Sequence, residues 1–227
     1  MIDALGQDEW QAVWLSLRVA VIASLASLPF ATWIAFVLAR KDFRGKQLLN
    51  GVVHMPLVLP PVVTGYFLLV VFGPNAALGA GLEKIGLPLA FRWTGAALAA
   101  AVMAFPLMVR AIRLGIETVD QGLEEAAATL GASRPRIYLT VTLPLVRRAI
   151  LAALVLGFAK ALGEFGATIT FVAAIPGETQ TIPSAIFGLL QVPGQEAAVI
   201  WLAAISVCLA MGALLVSEWL ARAGYPK

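Results

Sequence analysis

Two pairs of charged residues and a few hydroxyls are the groups in this chain with chemistry to offer. Glu124 and Glu125 stand side by side, and Lys160 and Glu164 lie four residues apart inside a long apolar tract. Paired carboxylates suit acid and base chemistry when buried, but Glu124 and Glu125 fall in a polar segment of good helix formers, which fits contact with a partner surface better. Lys160 and Glu164 can share one helix face, and burying either charge alone in hydrocarbon is costly, so they are expected to face the helix bundle or each other. Thr64, Thr168, Thr170, Thr181 and Ser184 are hydroxyl donors within or beside apolar tracts, each read first as a hydrogen bond within or between helices. His54 is alone of its type and reads as a packed or interfacial residue, and Cys208 has no second cysteine with which to form an internal disulfide.

Catalytic readings find little support. The chain has no Gly-rich nucleotide loop ending in Lys-Ser or Lys-Thr, no His-Glu-x-x-His metal site and no Gly-x-Ser-x-Gly nucleophile. An energy source, if one is used, is therefore expected on another chain, with no cofactor here.

The elements that must position these groups are membrane spans. Hydrophobic residues make up 60% of the 227 positions and charged residues only 13%. A mean hydropathy of +0.89 is too high for one core inside a polar shell. Residues 19–39, 47–82 and 197–217 hold no Asp, Glu, Lys or Arg, and each can supply the roughly 20 residues that cross a bilayer. Residues 93–109 and 149–173 add two more candidates, the latter containing Lys160 and Glu164. The expectation is an all-α integral membrane protein: five long transmembrane helices and a short buried or re-entrant helix over 182–190, which makes six if counted. All of it, 1–227, reads as one domain, and the first span as retained, since no removable signal pattern precedes it.

Within that layout Pro29 is a candidate bend in the first span, and Pro56, Pro60 and Pro61 make the second, about 48–72, an expensive regular helix. A short surface helix is expected in the 75–91 loop. Gly157, Gly163 and Gly166 suggest close helix approach in the fourth span. Arg40, Lys41, Arg44 and Lys46 follow the first span, six arginines lie between Arg110 and Arg148, and Arg222 and Lys227 follow the last, against only Lys84 and Arg92 in the opposite loops. The positive-inside rule then places the N-terminus outside and the C-terminus in the cytoplasm, with Asp3, Asp8 and Glu9 as weak support. The net charge of +3 is explained by this placement and calls for no nucleic acid. Arg18 is expected to snorkel toward the outer surface, and Trp10, Trp14, Trp93, Trp201 and Trp219 to include interface anchors.

The most informative stretch, 116–144, does not span. It reads as a short helix that Gly131 can terminate, then a turn, then a segment stopped by Pro144. Ala126, Ala127 and Leu130 give it a small apolar face suited to a groove.

Glu125-Ala126-Ala127, then Gly131, then Val141, Leu143 and Pro144 at their spacing resemble the EAA loop of the membrane subunits of binding-protein-dependent ABC importers, with Val141 where the family usually has Ile. Lys160-Ala-Leu-Gly-Glu-Phe-Gly-Ala167, Ile175-Pro-Gly and Gln180-Thr-Ile-Pro183 are similar to the molybdate permeases and their tungstate and sulfate relatives. The resemblance covers essentially the whole chain. It implies the type I ABC importer permease fold in the cytoplasmic (inner) membrane, and a coupling helix containing Glu124, Glu125, Ala126, Ala127, Leu130 and Gly131 that enters a cleft of the ATPase. The implied partners are a second copy of this subunit, two cytoplasmic ABC ATPases that bind ATP and magnesium, and an extracytoplasmic oxyanion-binding protein, with molybdate as cargo.

On that implication Thr64, Lys160, Glu164, Thr168, Thr170, Thr181 and Ser184 become candidates for lining or gating the path. The structural reading of the Lys160 and Glu164 pair is preferred, because a carboxylate beside the path would repel an anion. A sulfate or tungstate importer, an ion-coupled secondary transporter and a noncatalytic membrane scaffold stand as alternatives.

Overall fold

The computed structural model describes residues 5–222, with side chains of Ser217, Leu220, Ala221 and Arg222 excepted. Asp3, Lys227 and the side chain of Arg222, which entered the charge reading, lie outside that description. Among the described residues the regular structure is helical. α1 (Gln7–Arg40), α5 (Trp93–Glu117), the run Arg134–Leu162 and α11 (Glu196–Arg222) are each long and apolar enough to cross a membrane. The bent pair α2 (Lys46–Val58) and α3 (Pro61–Phe72) makes a fifth span if counted as one.

That pair is bent by 114°, far more than one kinked helix. The cause is local. A residue before proline is pushed out of the helical region, and Leu59 (ψ 144°) and Pro60 (ψ 133°) each precede one. Pro61, whose missing donor is no loss in a first turn, then opens α3. Pro29, Pro56 and Pro106, by contrast, lie within continuous helices, so Pro29 does not end α1.

Two short helices lie between the spans, α4 (Ala77–Lys84) in the expected loop and, later in the chain, α10 (Ile182–Leu189). Between α5 and the next span come α6 (Gln121–Thr129) and α7 (Arg134–Ile137). α7 does not stop at Pro144. It runs through a π-helical turn, Tyr138–Thr142, into α8 (Leu143–Leu162). The wide turn bonds Leu143 N–H to the carbonyl of Tyr138, five residues back, so Pro144 enters at the first turn of α8, where a proline is tolerated.

The fourth span also differs from expectation at its other end. α8 closes at Gly163, and α9 (Gly166–Val172) starts after a break. Gly163 is not a packing glycine, since a Cβ there would meet nothing nearer than 3.8 Å. It ends the helix. Gly157 and Gly166 do mark close approach, with a Cβ falling 2.5 Å from Met108 Sδ and 2.7 Å from Pro61 Cβ respectively.

The core lies around α5, the central helix. Toward its N-terminal end Ala96, Ala99, Ala100 and Met103 pack on Val19, Ala20 and Ala23 of α1 and on Phe171 and Val172 of α9. Toward the other end Met108, Val109, Ile112 and Ile116 pack on Ala31, Ala35 and Leu38 of α1 and Val146 and Ala153 of α8. Small side chains let the helices approach, which suits spans whose association rests on packing and not on hydrophobic expulsion from water. A third cluster joins Ala12 and Val13 of α1 to Ile182 and Ala185 of α10 and Ala198 and Leu202 of α11. α10 is thus the short buried helix expected over 182–190.

Candidate functional site

α6 begins where Asp120 accepts a hydrogen bond from Gly122 N–H at 2.9 Å, an N-cap that satisfies one free donor of the first turn. It ends in the Schellman pattern: Gly131 N–H bonds to the Ala128 carbonyl and Ala132 N–H to the Ala127 carbonyl, with Gly131 at φ +81°. Only glycine takes that conformation freely, so Gly131→Val is expected to fray the end of α6 and cost about 1–2 kcal/mol. Protease cleavage within 121–135 measured against wild type checks it; equal cleavage rates would remove Gly131 from this role.

No residue of α6 is buried. Leu123 is 50% exposed and Leu130 is 88% exposed, and with Ala126 they form an outward apolar stripe at i, i+3 and i+7. Ala127 is half-buried. The sequence reading missed Leu123, although its spacing to Ala126 and Leu130 was there to be seen. Glu125 is exposed. Val141 lies in the π turn, half-buried, and Leu143 and Pro144 follow it at the start of α8.

Glu124 points the other way from Leu123, Ala126 and Leu130, toward the spans. Its Oε1 accepts from Arg40 Nη2 at 3.2 Å, from Arg40 Nε at 3.3 Å and from Thr142 Oγ1 at 2.8 Å. Arg40 Nη2 also donates to the Val119 carbonyl at 2.9 Å. Neither Arg40 nor Thr142 was singled out from the sequence.

In the broken span, Lys160 Nζ donates to Glu164 Oε2 at 2.6 Å and Ala167 N–H donates to Glu164 Oε1 at 3.0 Å. Glu164 sits in the break and not on a helix, so the two residues meet without sharing one continuous face. Its side chain is 1% exposed, against 29% for Lys160. One carboxylate thereby neutralises a lysine and satisfies a first-turn N–H of α9 that has no acceptor within the helix.

The hydroxyl candidates divide. Thr168 donates to the Phe165 carbonyl and Thr170 to the Gly166 carbonyl, both at 2.8 Å. Thr181 and Ser184 form a capping box that starts α10, Ser184 Oγ accepting from Thr181 N–H at 2.9 Å. These four are used locally. Thr64 is the exception: its Oγ1 is buried and has no hydrogen-bond partner, where a helical bond was expected. It lies beside Gly65, where a Cβ would fall 2.5 Å from the Ala167 carbonyl oxygen, so α3 and α9 cross backbone to backbone next to an unused donor.

At the opposite end of the bundle from Arg40, the Arg18 guanidinium lies 3.6 Å from the centroid of the Trp93 ring, a cation–π contact in place of simple snorkelling. Arg92 pairs with Glu178 at 3.1 Å. His54 Nδ1 lies 2.8 Å from the Asn50 carbonyl, a local bond that fits a packed residue.

A bundle of membrane-crossing helices broken at two points, with a capped helix held outside the spans, defines a membrane component of a transport system. The family model for the binding-protein-dependent transport system inner membrane component matches residues 27–224, and the chain belongs to that family. It is a component of a transport system.

The chain is 58% identical over 219 residues to the molybdenum transport system permease protein ModB of Escherichia coli strain K12, covering 96% of each chain. It is 55% identical over 215 residues to the ModB protein of Haemophilus influenzae, covering 94% of each. Among solved structures, the bacterial alginate ABC transporter in complex with its pentasaccharide-bound periplasmic protein has a similar fold. The TM-score is 0.72 at 18% identity, over 96% of this chain and 81% of that one. Similarity to bacterial inner-membrane components places the protein, as a multi-pass chain, in the inner membrane.

Proposed function

We propose that this chain is the membrane-spanning subunit of an ATP-driven molybdate importer, working as a pair with a second copy, two cytoplasmic ATPase subunits and an extracytoplasmic oxyanion-binding protein. The observation that carries the coupling role is α6: a helix capped at both ends, with no buried residue, that turns Leu123, Ala126 and Leu130 outward. The molybdenum permeases to which the chain is more than half identical support molybdate as the cargo.

The N-terminus faces outside and the C-terminus the cytoplasm. Arg40, Lys46 and Arg113 cluster at the end of the bundle that carries α6, and Arg92 lies at the other, an asymmetry that supports this orientation. The single unit 1–227 then has its coupling segment, 116–144, on the ATPase side, with Glu125, Ala126, Ala127, Leu130 and Gly131 in or beside the ATPase cleft and Glu124 behind them. Val141, Leu143 and Pro144 shape the return into α8. ATP and magnesium belong to the ATPase.

Closure of the ATPases draws the two α6 helices together and switches the path from one side to the other. Thr64 and Lys160 are the path candidates with donors to spare. Thr64 becomes available if α3 parts from α9, and weak donors of this kind suit an ion that must leave again. Glu164, Thr168 and Thr170 act by holding the break before α9 in shape, and Thr181 and Ser184 by starting α10.

The test is ATP-dependent uptake into proteoliposomes containing all three proteins, with molybdate, tungstate and sulfate at matched concentrations. Molybdate uptake above the other two supports the reading, and preferential sulfate uptake overturns the cargo while leaving the importer. Leu130→Asp places a charge on the most exposed large side chain of the docking face and is expected to weaken ATPase binding about 30-fold, the scale of an interface anchor. Unaltered co-purification would defeat the assignment of α6.

A further inference from the structure

We infer that Arg40, Glu124 and Thr142 form the joint that carries the movement of α6 into α1 and α8 together; this rests on α6 being the docking helix. The ATPase-facing side of α6 explains Leu123, Ala126 and Leu130 but leaves Glu124, on the opposite side, without a task. Its single oxygen Oε1 receives Arg40, the last residue of α1, and Thr142, the last residue of the π turn. The end of α1, 84 residues away in sequence, therefore meets α6 and the π turn on one atom.

The joint is sheltered. Arg40 is 9% and Glu124 19% exposed as side chains, and Thr142 is buried, so bonds to ionised groups there are worth more than on an open surface. α6 has no buried residue of its own, which makes this polar contact its firm attachment to the spans. Arg40 holds the approach to α6 as well, through the Val119 carbonyl. One turn before Arg40, the Phe36 ring meets Tyr138 edge-on, with centroids 4.6 Å apart, so α1 and the π turn also touch directly.

A π turn holds one residue more than an α turn, and such turns recur at functional sites. Displacement of α6 thus reaches α1 at Arg40 and, at Thr142, the turn from which α8 starts. From there α8 runs to the Lys160 and Glu164 break at its far end. Arg40, Glu124 and Thr142 are positioning residues, acting on the path through these helices.

The experiment uses the complete transporter in proteoliposomes and reads molybdate taken up per ATP hydrolysed. With Arg40→Gln or Glu124→Gln, uptake is expected to fall further than hydrolysis, and the ratio to drop about tenfold, the scale of a lost hydrogen bond between ionised groups. Thr142→Val, which leaves the ion pair in place, lowers the ratio less and in the same direction, and it serves alone if the Arg40 variant does not fold. Exchanging the charges, Arg40→Glu with Glu124→Arg, recovers part of the ratio. A purely structural pin would lower both rates together, and an unaltered ratio in the Glu124 and Thr142 variants overturns the joint. Leu130→Asp separates the two ideas: if it still binds the ATPase, the docking reading fails, whereas loss of binding with an unaltered ratio in the joint variants removes the joint alone.

Discussion

Glu164→Ala is expected to be the most damaging single change in the membrane region. It strips the partner from Lys160 Nζ and the cap from Ala167 N–H in one step. Breaking a buried ion pair costs about 3–5 kcal/mol, and the low end applies because Lys160, 29% exposed, can turn its amine outward. Glu164→Gln keeps a cap oxygen and is expected to lose less. Thermal unfolding of the detergent-purified protein should rank wild type above Gln above Ala. Wild-type melting of the Ala variant would show that the pair does not hold the break.

Lys160→Met sorts the pair's two roles. It leaves the Glu164 carboxylate, 1% exposed, with the Ala167 N–H and no cation. If Lys160 serves only packing, melting temperature and flux fall in step. Loss of molybdate uptake with melting preserved assigns Lys160 to the anion path instead.

Gly65→Val is the second large effect. The new Cβ would sit 2.5 Å from the Ala167 carbonyl oxygen and 2.9 Å from both Ala167 Cα and Thr170 Cβ. Two of those are backbone atoms of α9 and cannot rotate away, so α3 and α9 must part. Overpacking of this kind costs about 1–3 kcal/mol, and the upper end is expected where backbone is the obstacle. Gly51→Val, in α2 with nothing within 4 Å of the added atom, is the control that separates the clash from the change in helix propensity when valine replaces glycine. The Gly65 variant should melt earlier than the control and lose transport. Equal behaviour of the two would mean that the crossing is not closely held.

Much of this protein was legible because the membrane imposes a coarse code. Uncharged tracts over 19–39 and 197–217 became α1 and α11, since a span needs only length and apolarity. The Gly131 terminator was readable for an equally local reason: the positive φ it adopts is closed to most other residues. Pro144 misled because proline in isolation reads as a stop, and nothing local announces that a π turn will admit it at the start of the next helix.

The amino-acid sequence by itself determined the apolar spans, the basic asymmetry between their ends, the capped helix α6 and the transporter class. The spans and α6 depend on residues within a turn or a span of one another, the asymmetry on a count of charges, and the class on a resemblance. Only the tertiary structure decided that Glu124 turns inward to Arg40 and Thr142, that Glu164 caps a broken helix, and that Thr64 and Gly65 meet α9 at Ala167. The first and last of those contacts join positions 40 and 124, or 65 and 167, which no periodicity links, and the Glu164 cap depends on the helix breaking where it does. They exist because helices packed through alanine and glycine come close enough for distant groups to share an atom, and the cost of leaving a buried charge unpaired then selects the arrangement.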